Sequence, residues 1–442
     1  MLNYTEAVAY LHSLQRFGVK LGLERTQELL RRLGRPERQC GRIVHVTGTS
    51  GKGSVSALVE SGLRAAGYRV GLYTSPSLER FTDRYQVNRV DMAEADLAGL
   101  TAEVRGHVEA MVAEGLEQPA EFEVTTVVGF LYFARQQVDW LVLEVGVGGR
   151  FDATNVVDNS AVTCITNIGL DHTDWLGDTE AKIAWEKAGI IKPAVPCVTG
   201  TTHPGALEVI RAEALSQDAV LAEVGPDDFR VAQFGPGGQA VDLLGARGWY
   251  RGVRIPLLGE HQAYNAAVAL RVLELCGLSE AAIRTGFAQV EWPGRMELLT
   301  LPGGPQVLLD AAHNPAKCGA LAAAVRQYFP GLPVILVLGA LADKNVEAMA
   351  QPLLDLAEQV WTTTPESPRR LPAAALADLC ARLGRPGVAV EPNVPAAVDA
   401  ALAAAASSSH LVVVTGSFYT VGPARRHLLG LQAKKVGHSG QE

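Results

Sequence analysis

The residues best placed to do chemistry form a glycine-rich run, His45-Val46-Thr47-Gly48-Thr49-Ser50-Gly51-Lys52-Gly53-Ser54, which follows an apolar β-branched stretch and precedes an apolar helical pattern. Glycines let a backbone close around an anion and take up positive φ, and a helix that follows offers free N–H groups and the positive end of its dipole. Lys52 adds a point charge, so phosphate is the ligand this chemistry suits. The run departs from G-x-x-x-x-G-K-[ST], because Val46 stands at the first glycine and Gly53 separates Lys52 from Ser54. That disfavours ordinary P-loop GTPases. Taken alone, the run also reads as a plain strand-to-helix turn.

Its surroundings shift that balance. Glu144 closes one apolar run and is followed by Val145-Gly146-Val147-Gly148-Gly149-Arg150, while Asp171-His172-Thr173-Asp174 follows another. A nucleotide enzyme needs hard oxygen ligands for magnesium, and Glu144 with Ser54 and water suits that need. His172 is a less usual magnesium ligand, and a hydrogen-bonding role stays open beside metal binding. The six cysteines are scattered singly, so neither disulfides nor a zinc site follow from them.

The elements that must position these residues alternate between short apolar runs and amphipathic stretches, the pattern of an α/β protein with a mainly parallel sheet. Strands are expected at Ile43–Val46, Val70–Tyr73, Trp140–Val145 and Ala161–Ile165, and ligands in such sheets bind beyond the carboxyl ends of strands. A second series, with strands at Val307–Leu309, Val334–Leu338, Val388–Val390 and Leu411–Val414, starts after Trp292-Pro293-Gly294-Arg295. A chain of 442 residues exceeds the roughly 250 to 300 at which one core stops growing. Domains are therefore expected at 1–296 and 297–432, with a polar, disordered tail over 433–442. The Ala-rich stretch 366–407 reads as helices and connections of the second domain.

Only 19% of residues are charged and the net charge is −8, with no dense Lys/Arg block to follow a nucleic-acid backbone. No basic segment followed by an apolar stretch opens the chain, and no apolar run approaches the ~20 residues of a membrane span. A cytoplasmic protein with no nucleic-acid or membrane partner is expected.

The order and spacing of these motifs resemble the folylpolyglutamate synthase/dihydrofolate synthase branch of the Mur ligase superfamily, from about Tyr4 to about Arg426. Matching stretches are His45 to Ser54, Tyr73 to Phe81, Glu144 to Arg150, Leu170 to Thr173, Glu186-Lys187-Ala188-Gly189-Ile190-Ile191-Lys192, Gly259 to Asn265, Trp292 to Arg295, Asp310-Ala311-Ala312-His313-Asn314-Pro315 and Thr415-Gly416-Ser417. The resemblance implies an N-terminal P-loop ATPase domain, a smaller Rossmann-like C-terminal domain and catalysis in the cleft between them. It implies ATP phosphates on Gly51, Lys52, Gly53 and Ser54, and two magnesium ions among Ser54, Ser75, Glu144 and His172. Lys187 would be carbamylated, a role the local sequence does not show; an exposed helical lysine or a phosphate contact is the plain alternative. Asn265 would meet adenine, Arg295 the phosphates from the hinge, and Asp310 the nucleotide from the second domain.

His313 and Ser417 are implied for the incoming glutamate, beside a structural hydrogen bond and a helix cap as their alternatives. For the pterin carboxylate the resemblance points to Gly18 to Arg25, the loop after Ser75, and Phe122 with Glu123; a helix over Glu121–Tyr132 would equally place Phe122 in a core. Three positions depart from the family pattern: Ser50 for asparagine, Ser77 for histidine, and Lys20 where dihydrofolate synthases often carry an acid. The implied activity is ATP-dependent coupling of L-glutamate to tetrahydrofolate or dihydropteroate through an acyl phosphate, by a monomer. A peptidoglycan-type Mur ligase and a non-catalytic nucleotide-binding module are the rivals.

Overall fold

The computed structural model describes residues 2–18, 22–301, 304–405 and 410–439, with side chains as far as 433. Lys20 therefore lies outside the described residues. The first α/β unit is built on an eight-stranded sheet in the order Val90–Asp91, Tyr85–Val87, Val70–Tyr73, Trp140–Glu144, Arg42–Thr47, Ser160–Ile165, Cys197–Thr199, Leu221–Glu223. From Val70–Tyr73 onward every pairing is parallel. Strand Arg42–Thr47 is buried along all but its first residue, as the middle strand of a sheet covered on both faces must be.

One face carries the helix Lys52–Ala65 against Glu260–Leu275 and Glu280–Ala288, and the other carries Tyr4–Ser13, Glu94–Ala113 and Glu121–Arg135. The closest crossing rests on glycine: a Cβ on Gly286 would come 2.5 Å from the Cα of Gly62, and the Ser61 hydroxyl donates to the Gly286 carbonyl at 2.7 Å.

Three antiparallel strands, Phe229–Gly235, Gly238–Gly245 and Gly248–Ile255, form a separate small sheet that the α/β alternation did not lead us to expect. The second unit carries six strands in the order Glu297–Thr300, Gln306–Asp310, Leu411–Thr415, Val334–Leu338, Ala357–Thr362, Ala389–Val390, all parallel except the first pair. Helices Pro315–Tyr328 and Val346–Leu354 pack on one face, Val394–Ala404 and Phe418–Ser439 on the other. The expected architecture, a mainly parallel α/β unit followed by a smaller Rossmann-like one, is what the chain forms. The last helix runs on to Ser439 past Ala433, where a disordered tail was expected to begin; Ala and Lys there are strong helix formers.

The units interlock. Leu78, from the loop after Ser75, packs against the core of the second unit. Arg425 pairs with Glu79 of that loop and, at 2.9 Å, with Glu297, while Arg426 donates to the Glu79 carbonyl at 2.6 Å. Gly422 admits the loop, since a Cβ there would overlap the Leu78 carbonyl. All six cysteines are free and buried.

Candidate active site

Three neighbouring parallel strands end together. Register pairs Val46 with Glu144 and Thr47 with Ile165, which brings Gly48–Lys52, Glu144 and the segment 166–172 to one sheet edge. The glycine-rich loop is held from that side. Thr49 N–H donates to the Asn167 carbonyl at 2.9 Å, Ser50 N–H to Asn167 Oδ1 at 2.8 Å, and Thr166 Oγ1 to the Ser50 carbonyl at 2.6 Å. Gly51, at φ 85°, turns the chain into the helix Lys52–Ala65, and no side chain caps that helix. Its first turn is thus free for an anion.

Lys52 and Lys187 converge on one acceptor, the Gly48 carbonyl, at 3.1 and 3.0 Å. Lys187 is not the exposed helical lysine its local sequence allows: it is 4% exposed, near the end of the helix Glu180–Ala188. Burial first, and the neighbouring Lys52 second, push its pKa down to about 7. Gly149 makes room for that helix, because a Cβ there would lie 2.9 Å from the carbonyls of Glu186 and Lys187.

Glu144 is 4% exposed and accepts a single N–H, from Ser75 at 3.3 Å; burial raises its pKa and Lys52 opposes the shift. An oxygen-rich carboxylate with unfilled acceptor capacity is what a hard cation takes up. Among the described residues no three His, Cys, Asp or Glu side chains form a metal cage, so a magnesium ion here would draw its other ligands from phosphate, hydroxyls and water, as magnesium commonly does. The residues fit such an ion. His172, half-exposed with φ 51°, stands at the same edge; burial of its ring lowers its pKa.

Lys52, Glu144 and His172 line a cleft of about 530 Å³ together with Ser75, Phe122, Glu123, Asp152, Arg295, His313, Lys317, Lys344, Arg369 and Ser417; Lys187 lies behind the phosphate loop and is not among the lining residues. The Phe122 ring lies over Gly146, where a Cβ would come within 2.5 Å of it, and contacts Tyr73 at 6.4 Å between centroids. It is thus both wall of the cleft and edge of the core. Glu123 is already engaged: it accepts from Ala120 N–H at 2.7 Å and from Arg25 at 3.1 Å, which ties the helix Glu24–Arg32 to the cleft wall.

Asn265 donates to Gln262 at 3.1 Å, and its Oδ1 lies where a Cβ on Gly51 would be 2.4 Å away, so it backs the phosphate loop. Arg295 stacks on Phe418 at 4.5 Å. Asp310, not among the cleft-lining residues, accepts from Met296 N–H at 2.9 Å and Ala312 N–H at 2.8 Å, fixing the turn between the units. Ser417 is buried with its hydroxyl 2.7 Å from Thr420.

Residues 46–273 match the Mur ligase middle domain and residues 294–418 the Mur ligase glutamate ligase domain. The dihydrofolate synthase/folylpolyglutamate synthase of Bacillus subtilis is 37% identical over 435 residues, 96% of this chain and 99% of that one. The chain belongs to the folylpolyglutamate synthase/dihydrofolate synthase family of Mur ligases. Among solved members of the family, the folylpolyglutamate synthase of Thermotoga maritima superposes with a TM-score of 0.86 at 36% identity, covering 96% of each chain. The Escherichia coli family member solved with DHPP and ADP gives 0.80 at 32% identity, covering 99% of this chain and 98% of that one.

Sequence reasoning missed Lys317, Lys344 and Arg369, which bring positive charge to the second unit's side of the cleft. The motif Asp310 to Pro315 drew attention to His313, and Lys317 lies one turn beyond it. Among the described residues, no helix is long and apolar enough to cross a membrane.

Proposed function

We propose that this chain uses ATP to activate a folate or pteroate carboxylate and couples it to the amino group of L-glutamate, with tetrahydrofolate and dihydropteroate as acceptors. The observation that carries the reading is the cleft in which the uncapped phosphate loop, Lys52 and Glu144 of one unit, with Arg295 at the hinge, face His313 and Ser417 of the other.

The substrate carboxylate attacks the γ-phosphate of ATP in line, giving ADP and an acyl phosphate. Gly51, Gly53 and Ser54 present backbone N–H groups to the phosphates, and Lys52, released from the Gly48 carbonyl, follows the charge as it moves. Arg295, at the hinge between the units, completes that positive field while the units are together, which also keeps water from the acyl phosphate. Asn265 supports the loop from behind and would meet the adenine, and Asp310, which holds the turn between the units, would contact the nucleotide from the second unit. The neutral amine of glutamate, bound on the side of the cleft that His313 and Ser417 line, then attacks the activated carbonyl, and the tetrahedral intermediate expels phosphate. Positioning and electrostatics supply the acceleration, and no protein nucleophile is needed.

Magnesium, in two sites, would be held by Glu144, Ser54, Ser75 and His172 and would neutralise phosphate oxygens. Lys187, whose amine loses its proton around neutrality, is suited to take up carbon dioxide; the resulting carbamate would put an anion beside the phosphate loop, where Lys187 meets the Gly48 carbonyl. Phe122 supplies a stacking face for the pterin, and Glu123 holds that wall in place through Arg25. We assign residues 1–296 to nucleotide and folate binding and 297–432 to glutamate ligation. The site is assembled within one chain, so a monomer suffices, and we assign the reaction to the cytoplasm.

The test is ADP release by the purified protein with ATP, magnesium and glutamate, supplying either dihydropteroate or tetrahydrofolate and identifying products by mass. A glutamate adduct of both acceptors establishes both activities, and an adduct of tetrahydrofolate alone establishes polyglutamylation. No adduct of either overturns the folate assignment and directs the search to muramyl substrates.

A further inference from the structure

The second unit holds a cation whose surroundings call for an anion. Lys317 stands in the first turn of the helix Pro315–Tyr328, where Asn314 caps its N–H at 2.9 Å. That is the positive end of a helix dipole, an unfavourable place for an ammonium group. Burial is the largest cost to its charge, Arg295 and Lys52 add to it as like charges, and the more weakly acting Asp171 and Asp310 offset only part. No salt bridge answers these penalties among the described residues. Among the described residues the only side-chain hydrogen-bond partner of Lys317 is His313, whose Nε2 is 3.2 Å from Nζ.

The tautomer of His313 follows from its other nitrogen. Nδ1 lies 2.7 Å from the Ala311 carbonyl, which can only accept, so Nδ1 carries the proton and Nε2 offers a lone pair to the Lys317 ammonium. Burial, then the charge of Lys317, hold the ring neutral, with its pKa pushed down to about 3. His313 is therefore neither the charge nor a free donor on this side of the cleft. It orients the lysine, and an ammonium group has further N–H bonds for a ligand. The cleft that both residues line also holds Ser417.

We propose that Lys317, oriented by His313, binds a carboxylate of the incoming glutamate and sets the enzyme's affinity for it. This rests on the ligase reading above and assigns a specificity-determining residue within it. A phosphate oxygen is the other anion within the cleft, but Lys52 and the uncapped helix Lys52–Ala65 already provide for phosphate from the opposite unit. Lys317 rides instead on a helix of the segment that matches the glutamate ligase domain.

The experiment is steady-state ADP release by the full-length chain with tetrahydrofolate as acceptor, comparing wild type with Lys317→Met and Lys317→Arg. Losing one charge-assisted hydrogen bond should raise the KM for glutamate about ten- to a hundredfold in Lys317→Met while the KM for ATP stays put, and Lys317→Arg should recover part of the loss. Glutamine and isoglutamine, each lacking one carboxylate charge, identify the carboxylate: the analogue without the Lys317 contact is poor for wild type, and Lys317→Met no longer discriminates against it. An unchanged KM for glutamate in both variants overturns the proposal, as does a rise in the KM for ATP instead. Absence of glutamate-dependent turnover in the wild type, with either folate acceptor, would overturn the ligase reading itself. Should Lys317→Met fail to fold, the Arg variant alone decides: a KM for glutamate and an analogue preference both equal to wild type, with the guanidinium unable to reproduce the Nζ geometry, count against it.

Discussion

Carbon dioxide adds only to an uncharged amine, so the pKa of Lys187 sets how readily the proposed carbamate forms. An ordinary lysine at 10.5 is neutral in about one molecule in 3,000 at pH 7, whereas Lys187, at about 7, is neutral in about half. Burial and the nearby charge of Lys52 thus raise the reactive fraction more than about a thousandfold. The sign is definite. A depressed lysine pKa makes the neutral form dominant above about 7, so the neutral fraction climbs from about a tenth at pH 6 to about nine tenths at pH 8. Turnover in degassed buffer should fall, bicarbonate should restore it, and the dependence should be steepest on the acid side. Carbon-13 bicarbonate should give a carbamate resonance that Lys187→Ala lacks. That variant should lose about a hundredfold or more in ADP release, with partial rescue by a short-chain carboxylic acid. Wild-type turnover in Lys187→Ala, or a wild type with neither carbamate carbon nor bicarbonate dependence, would refute the reasoning.

Three further perturbations probe the metal site, the phosphate loop and the contact between the units. Glu144→Gln keeps the shape but removes the charge, and should shift the magnesium requirement for ADP release about ten- to a hundredfold upward; an unchanged titration would remove Glu144 from the metal site. Gly53→Ala places a Cβ 2.5 Å from Cζ2 of Trp292, so the KM for ATP should rise and the thermal midpoint fall by the equivalent of about 1–3 kcal/mol; an unchanged midpoint would show that the ring swings aside. Arg425→Ala leaves Glu79 and Glu297 without their shared partner, and after allowance for partial exposure should cost about 1–3 kcal/mol, read in a thermal or urea melt.

Strands at the site were legible because a buried parallel strand needs an apolar β-branched run, and Arg42–Thr47, Val70–Tyr73 and Trp140–Glu144 each have one. The small antiparallel sheet was not, because Phe229–Gly235 is mostly exposed and carries no apolar run; only its middle strand, Gly238–Gly245, alternates cleanly between buried and half-buried residues. Burial of Lys187 depends on Gly149 making room for its helix, and Glu123 is engaged by Arg25 from an earlier helix. Neither contact leaves a trace within one stretch of chain. The same holds for Lys317, whose meaning lies in the tautomer of His313, a property only the Ala311 carbonyl reveals.

Leu78 belongs by sequence to the first unit and by packing to the second. Cutting the chain at residue 296 would therefore not yield two self-sufficient pieces: the amino-terminal fragment would carry a bare leucine on a loop without its anchor, and the carboxy-terminal fragment an uncovered apolar patch where that leucine packs. Separately expressed, the halves should be sticky and inactive; mixed, they should find one another through that same side chain.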